Sequence, residues 1–83
     1  MTITIYSTVT CPYCKMLKSY LAEKGMAFTE KYVDQDEAAQ VEMSQASGGF
    51  LGVPFTTITK DDGSVHSVIG FDKNKINEIL GIS

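Results

Sequence analysis

Arginine is absent from this sequence, and several other features are missing with it. All seven basic residues are lysines, ten residues are acidic, and the formal net charge is −3. Without arginine or a basic cluster, the chain is not expected to bind nucleic acid. No apolar run approaches the ~18 to 20 residues that a membrane span needs, and the first residues lack the basic-then-apolar order of a signal peptide. We therefore expect a cytoplasmic protein with neither nucleic-acid nor membrane partners.

Cysteine is scarce, with two in the chain. In a reducing cytoplasm a purely structural disulfide does not persist, so a pair of cysteines is expected to react or to bind metal. The 83 residues leave room for one domain, spanning residues 1–83. A composition of 43% hydrophobic and 20% charged residues is typical of a folded globular chain.

The chain begins with a predicted strand and helix. Residues alternate between β-branched or aromatic and smaller types over Thr2–Ser7, which predicts a short strand. Apolar residues then recur at helical spacing over residues 13–24, and Pro12 suits the first helical position because its missing N–H is unpaired there anyway. Thr8 and Thr10 are candidates for capping this helix.

The rest of the chain predicts three more strands and two more helices. These are a strand over residues 27–33, a helix over 37–46, strands over 55–59 and 65–69, and a final helix that begins after Asp72. Asp62–Gly63 is a strong hairpin signal between the last two strands. A right-handed crossover makes the first two strands parallel. The order βαβαββα therefore predicts an α/β fold, a four-stranded mixed sheet flanked by three helices.

Most of the functional information lies in Cys11–Pro12–Tyr13–Cys14. Two cysteines separated by two residues, where a strand meets a helix, are typical of a redox motif. The unpaired N–H groups and the positive dipole end of a helix start favour an anion, so a thiol there ionises more easily. Cys11 is expected to be the more exposed and more acidic thiol. Cys14 lies almost one turn deeper, near enough to form a disulfide with it.

These residues predict a thiol–disulfide oxidoreductase. Cys11 attacks a substrate disulfide, and Cys14 then attacks the Cys11 sulfur and releases the reduced substrate. Two alternatives stay open. The cysteines pack in the core as small apolar residues, or they bind a metal or an iron–sulfur cluster. Because zinc takes four ligands and one chain offers two cysteines and His66, a closed zinc site needs two chains.

At Cys11–Pro12–Tyr13–Cys14 the sequence resembles the glutaredoxins, members of the thioredoxin superfamily. The resemblance covers nearly the whole chain and includes Tyr6–Ser7 at the end of the first strand, the Val53–Pro54 pair and the Gly70–Phe71–Asp72 turn. It extends to the small bacterial YruB-type proteins and the NrdH-type redoxins. The resemblance implies a thioredoxin fold, a monomer with no bound cofactor, and protein disulfides or glutathione mixed disulfides as substrates, with glutathione as a reductant or co-substrate.

The resemblance also implies a substrate-binding wall beside the cysteines. A cis peptide bond is expected before Pro54, which would present the Val53 backbone N–H and C=O to an extended peptide or to glutathione. The predicted substrate-binding residues are Pro12, Tyr13, Val53, Pro54, Gly70, Phe71 and Asp72.

Two departures from the glutaredoxin pattern concern glutathione. Thr8 stands where the family commonly has a lysine that pairs with a glutathione carboxylate. Phe71 replaces the second glycine of a Gly-Gly-x-Asp turn, and one residue of that turn is missing. Asp72 is either a cap of the last helix, which we favour, or a ligand group. NrdH-type redoxins usually take electrons from thioredoxin reductase, so glutathione and thioredoxin reductase are both candidate electron donors.

The remaining aromatic residues have less specific expectations. His66 is expected to be an ordinary strand residue rather than a ligand. Phe50, Phe55 and Phe71 are candidates to surround the site, with core packing as the default expectation for each.

Overall fold

The computed structural model describes residues 1–49 and 52–81. Within these ranges the elements are β1 (Thr2–Ser7), α1 (Pro12–Glu23), β2 (Thr29–Tyr32), α2 (Glu37–Ser47), β3 (Phe55–Thr59), β4 (Val65–Ile69) and α3 (Lys73–Leu80). The strands form one sheet in the order β2-β1-β3-β4, with β1 and β2 parallel and the other neighbours antiparallel. The predicted mixed four-stranded sheet with three helices is confirmed.

The second strand is shorter than the predicted segment 27–33. β2 is an edge strand that pairs only with β1, from Thr4 opposite Thr29 to Ser7 opposite Tyr32. The residues just before β2 are still hydrogen-bonded to the end of α1, since the Met26 N–H donates to the Leu21 carbonyl at 2.9 Å. The parallel pairing therefore begins only where the chain has turned back along β1.

The sheet separates two cores, because side chains alternate between its faces along each strand. The first face carries α1 and α3. Its buried cluster contains Ile3, Ile5, Leu17, Leu21, Ile58, Val68, Ile76, Ile79 and Leu80. The second face carries α2, and its buried cluster contains Tyr6, Met43 and Phe55. Core packing is thereby confirmed for Phe55, while Phe50 lies outside the described residues.

Aspartate side chains begin the second and third helices. Asp36 Oδ1 accepts hydrogen bonds from the N–H groups of Ala38 at 3.0 Å and Ala39 at 3.3 Å. Asp72 Oδ1 accepts from the Lys75 N–H at 3.1 Å, which is the capping role that the sequence favours. These carboxylates pair N–H groups that the first helical turn leaves free. Among the described residues, no helix has the length and apolar character required to cross a membrane.

Candidate active site

Cys11 is itself the N-cap residue of α1. Its Sγ accepts a hydrogen bond from the Cys14 N–H at 3.1 Å, while the Cys11 N–H donates to the Thr8 carbonyl at 3.3 Å. The expectation that Thr8 or Thr10 caps this helix is therefore wrong. The sulfur occupies the position where a side-chain acceptor meets the unpaired N–H groups of the first turn. A negative charge on this sulfur would be stabilised by that N–H and by the helix dipole.

Cys11 and Cys14 are joined as a disulfide, with their Cα atoms 5.2 Å apart. Cys11 is 8% exposed and Cys14 is 1% exposed, so the predicted order of exposure is confirmed, although both residues are largely buried. Cys14 shares the buried side of α1 with Leu17 and Leu21. Cys11 is therefore the cysteine nearer to solvent.

The two residues between the cysteines face solvent. Pro12 occupies the first position of α1, and both Pro12 and Tyr13 are exposed. Tyr13 is 60% exposed, which leaves it free to contact a bound molecule. The chain between the two cysteines thus lies at the surface, while the cysteines themselves are buried.

The two predicted turns meet at the end of the sheet where α1 begins. The Val53–Pro54 bond is cis, and the Pro54 carbonyl accepts a hydrogen bond from the Gly70 N–H at 2.8 Å. β3 starts directly after Pro54 and runs antiparallel to β1, so its first residue lies beside the end of β1 that leads to Cys11. Val53 packs against the α2-side cluster. The topology therefore brings both turns to the edge that carries the disulfide.

Phe71 contacts Tyr20 of α1 and packs against the larger core. Its ring meets the Tyr20 ring edge-on, with the centroids 6.0 Å apart. Its neighbour Asp72 is occupied as the cap of α3. The Gly70–Phe71–Asp72 turn therefore carries an aromatic ring at the position where the glutaredoxin pattern has its second glycine.

A polar cluster behind α1 was not expected from the sequence. Ser7 is fully buried, and its Oγ donates a hydrogen bond to Glu30 Oε2 at 3.0 Å. Glu30 Oε2 also lies 2.6 Å from Lys18 Nζ, with which it forms an ion pair. Burial raises the pKa of Glu30, but hydrogen bonds from Lys18, Tyr32 and Ser7 outweigh it and leave that pKa below its ordinary value. The hydrogen bond to Glu30 raises the pKa of Lys18. Both groups are therefore charged at neutral pH.

This cluster connects α1 to β1 and β2 near the end of the helix that carries the cysteines. Lys18 lies one helical turn after Cys14 and on the same side of the helix. Ser7 ends β1, four residues before Cys11, and Glu30 belongs to β2. In the sequence, the only hint of this cluster is that Lys18 lies four residues after Cys14. Its carboxylate partner Glu30 could not be recognised there, because Glu30 lies on β2 rather than on α1.

The single histidine has an ordinary strand environment. His66 Nε2 lies 3.2 Å from Ser64 Oγ, on the β3–β4 hairpin. Within residues 1–49 and 52–81, no three histidine, cysteine, aspartate or glutamate side chains come together to hold a metal ion. The metal hypothesis therefore gains no further ligand from this part of the chain.

The fold and the site together define a class of protein. A cysteine pair at the start of the first helix, on a βαβαββα fold with a cis-proline turn at the same sheet end, is a redox site on a thioredoxin fold. The glutaredoxin family model matches residues 3–61. The chain belongs to the glutaredoxin family.

Relatives and solved structures extend this similarity over almost the whole chain. A glutaredoxin-like 8.6 kDa protein from the rubredoxin operon of Clostridium pasteurianum is 38% identical over 78 residues, which cover 94% of this chain and 96% of the relative. The glutaredoxin-like protein NrdH of Lactococcus lactis subsp. cremoris is 38% identical over 60 residues, which cover 72% and 78%. The solved NrdH-redoxin of Escherichia coli superposes with a TM-score of 0.73 at 28% identity, covering 95% of both chains.

Proposed function

We propose that this protein is a thiol–disulfide oxidoreductase that reduces disulfides in other proteins. The observation that supports this most is the Cys11–Cys14 disulfide at the start of α1, with the Cys14 N–H on the outer sulfur. That N–H and the helix dipole stabilise a thiolate at Cys11, and a thiolate is the form that attacks a disulfide. The glutaredoxin family membership agrees with this chemistry.

The reaction follows from the unequal burial of the two sulfurs. In the reduced protein the Cys11 thiolate attacks one sulfur of the substrate disulfide, a mixed disulfide forms, and the other substrate sulfur leaves as a thiolate. Cys14 then loses its proton and attacks the Cys11 sulfur, which releases the second substrate thiolate and forms the Cys11–Cys14 disulfide. Two electrons pass to the substrate, and protons from the Cys14 thiol and from solvent complete its two thiols.

The Val53–Pro54 turn serves as the docking wall for the substrate. Val53 is half-buried against the α2-side cluster, so its backbone has a fixed place at the sheet end that carries the disulfide. A backbone segment held in this way can pair with an extended peptide through main-chain hydrogen bonds. Pro12 and Tyr13 are exposed between the cysteines and are open to contact with the same substrate.

The electron donor is glutathione or thioredoxin reductase, and this chain has features that bear on each. It lacks a lysine at position 8, which removes a cation for a glutathione carboxylate. The related Escherichia coli NrdH-redoxin is described as having a thioredoxin-like activity profile. Mixing the oxidised protein with glutathione, and separately with NADPH and thioredoxin reductase, and counting free thiols over time identifies the donor.

The decisive variants are the two single cysteine substitutions. Cys11→Ser should lower the rate of disulfide reduction by ~100-fold or more, because it removes the nucleophile. Cys14→Ser should keep the first attack and accumulate the mixed disulfide, which mass spectrometry of the intact protein detects. Wild-type activity in Cys11→Ser would refute the proposed function.

A further inference from the structure

An open groove runs along the outer side of α1 towards the start of α3. Its volume is about 360 Å³. The residues that line it include Lys15, Met16, Tyr20, Glu23, Phe71 and Lys73. Neither the disulfide nor the Val53–Pro54 turn is part of its lining, so the groove is a surface that the redox chemistry itself does not use.

The floor of this groove is aromatic and fixed in place. The Tyr20 ring meets the Phe71 ring edge-on, and the Tyr20 hydroxyl donates to Asn77 Oδ1 on α3. Both rings also pack against the buried cluster of the first sheet face. Met16 is half-exposed beside them and offers a flexible apolar contact. The groove thus presents a preformed apolar floor rather than one that must assemble on binding.

Lysines gather above this floor. Lys73 Nζ lies 5.2 Å from the centre of the Tyr20 ring and 5.7 Å from that of Phe71, and Lys24 Nζ lies 5.6 Å from the centre of Tyr20. The lysine–carboxylate ion pairs seen within residues 1–49 and 52–81 occupy Lys18 and Lys31 instead. Lys24 and Lys73 at the groove therefore contact aromatic faces, and in the described part of the chain neither forms an ion pair with a carboxylate.

The groove differs in charge from the chain as a whole. Lys15 and Lys73 line the groove, and Lys24 lies over its Tyr20 ring, in a protein whose net charge is −3. Glu23 is the acidic lining residue, and it lies at the end of the groove farther from the disulfide. An acidic partner is consequently repelled by the protein on average and attracted at this surface, an arrangement that orients an approaching molecule.

The groove begins one residue beyond the redox motif. Lys15 follows Cys14 directly, and Phe71 follows Gly70, whose N–H donates to the carbonyl of Pro54. From Lys15 to Glu23 the helix rises by ~12 Å. An extended peptide covers that distance with about four residues.

We propose that this groove binds an acidic segment that flanks the reactive cysteine of a protein disulfide substrate. The lysines would pair with carboxylates close to that cysteine, and the Tyr20–Phe71 floor would receive an apolar side chain of the same segment. This proposal rests on the proposed oxidoreductase function and adds a substrate preference to it. A charge pair at an exposed surface acts mainly on association, so the preference is expected in the rate of attack at low salt.

Two synthetic disulfide peptides test the preference. They share one sequence, except that two positions within four residues of the attacked cysteine are glutamate in one peptide and glutamine in the other. Fully reduced wild-type protein should reduce the glutamate peptide about 3- to 10-fold faster at low ionic strength. In 0.5 M NaCl the ratio of the two rates should approach one, because salt screens exposed charges.

A matched pair of charge reversals assigns the effect to the groove. Lys73→Glu should bring the glutamate-to-glutamine rate ratio below one. Lys60→Glu makes the same change of charge between β3 and β4, outside the groove lining, and should keep the wild-type ratio. Thermal unfolding curves of both variants verify that the ratios are measured on folded protein.

The outcomes separate this proposal from the proposed function. If wild-type protein reduces both peptides at equal rates, or if Lys73→Glu and Lys60→Glu give the same ratio, the docking proposal is wrong and the oxidoreductase function stands. If wild-type protein reduces neither peptide, the proposed function fails and the docking proposal fails with it.

Discussion

The two faces of the sheet differ in how much core they bury. Among residues 1–49 and 52–81, nine buried residues form one cluster on the α1–α3 face, whereas the buried cluster on the α2 face has three. The larger cluster fixes the helix that carries both cysteines. The smaller one lies beneath Val53, at the turn that we propose receives substrate. The helix that carries Cys11 and Cys14 thus packs on the face with the larger buried cluster, and the Val53–Pro54 turn packs on the face with the smaller one.

This difference indicates a division between chemistry and recognition. A nucleophile and a resolving thiol need a constant separation, which dense packing of α1 provides. In our proposal the Val53–Pro54 turn receives different protein segments, and the smaller core behind it leaves neighbouring side chains room to adjust while the main chain of the turn stays held. Substitutions on the two faces should therefore change different measurable properties.

The largest effect is expected on the α1–α3 face. Leu17 has no exposed surface and packs in the nine-residue cluster. Leu17→Ala should lower the free energy of unfolding by about 3–4 kcal/mol, through the lost apolar contacts and the cavity that remains. Urea unfolding followed by circular dichroism measures this change. A loss below about 1 kcal/mol would mean that this face is not the main core.

The α2 face should respond more weakly in stability and more specifically in function. Met43 is 1% exposed, and Met43→Ala should lower the free energy of unfolding by about 2 kcal/mol, because the smaller cluster can partly collapse around the gap. The same change loosens the support of Val53 and should raise the KM for a protein disulfide. Steady-state kinetics at a temperature where the variant is fully folded measure it. An unchanged KM would show that Val53 does not depend on this cluster.

A smaller effect is expected from the carboxylate behind α1. Glu30→Gln should lower the free energy of unfolding by about 1–2 kcal/mol at pH 7, because Lys18 and Ser7 lose their charged partner. Since the pKa of Glu30 is lowered in the folded protein, its contribution is complete above the unfolded pKa of about 4.3 and is lost as the pH falls through the folded pKa. The difference between wild type and variant should therefore shrink from pH 7 to pH 3 in urea titrations.

Glu42→Gln is the matched control for that experiment. Glu42 Oε1 lies 2.7 Å from Lys31 Nζ, but these side chains are 46% and 34% exposed, against 18% and 26% for Glu30 and Lys18. An exposed pair contributes little, so in the same urea titrations the unfolding midpoint of Glu42→Gln should match that of wild type. Equal losses for the two variants would contradict the importance of burial in this comparison.

Local patterns were sufficient for most of the fold. The apolar spacing on α1 and the Asp62–Gly63 turn depend on neighbouring residues, and each appears in the structure where it was predicted. The cysteine spacing likewise indicated the redox pair. The capping of α1 was mispredicted because threonine is a common N-cap, whereas here the sulfur of Cys11 accepts the hydrogen bond.

Features that join distant parts of the chain could not be predicted in the same way. Glu30 reaches Ser7 because β1 and β2 pair in one particular register, and Tyr20 reaches Asn77 across 57 residues because α1 and α3 share a sheet face. Periodicity within a segment carries no information on either contact. The cationic groove depends on the second of them, so it too was invisible in the sequence.

The hydrogen bond from the Gly70 N–H to the Pro54 carbonyl has a consequence for how this protein can diverge. Both groups belong to the main chain, so a change of side chain at Val53 or Phe71 removes neither donor nor acceptor. Gly70 itself is constrained by its φ of 75°, which other residues adopt at a cost. Related sequences can therefore vary the side chains around the cysteines and still keep the main-chain hydrogen bond that joins the two turns.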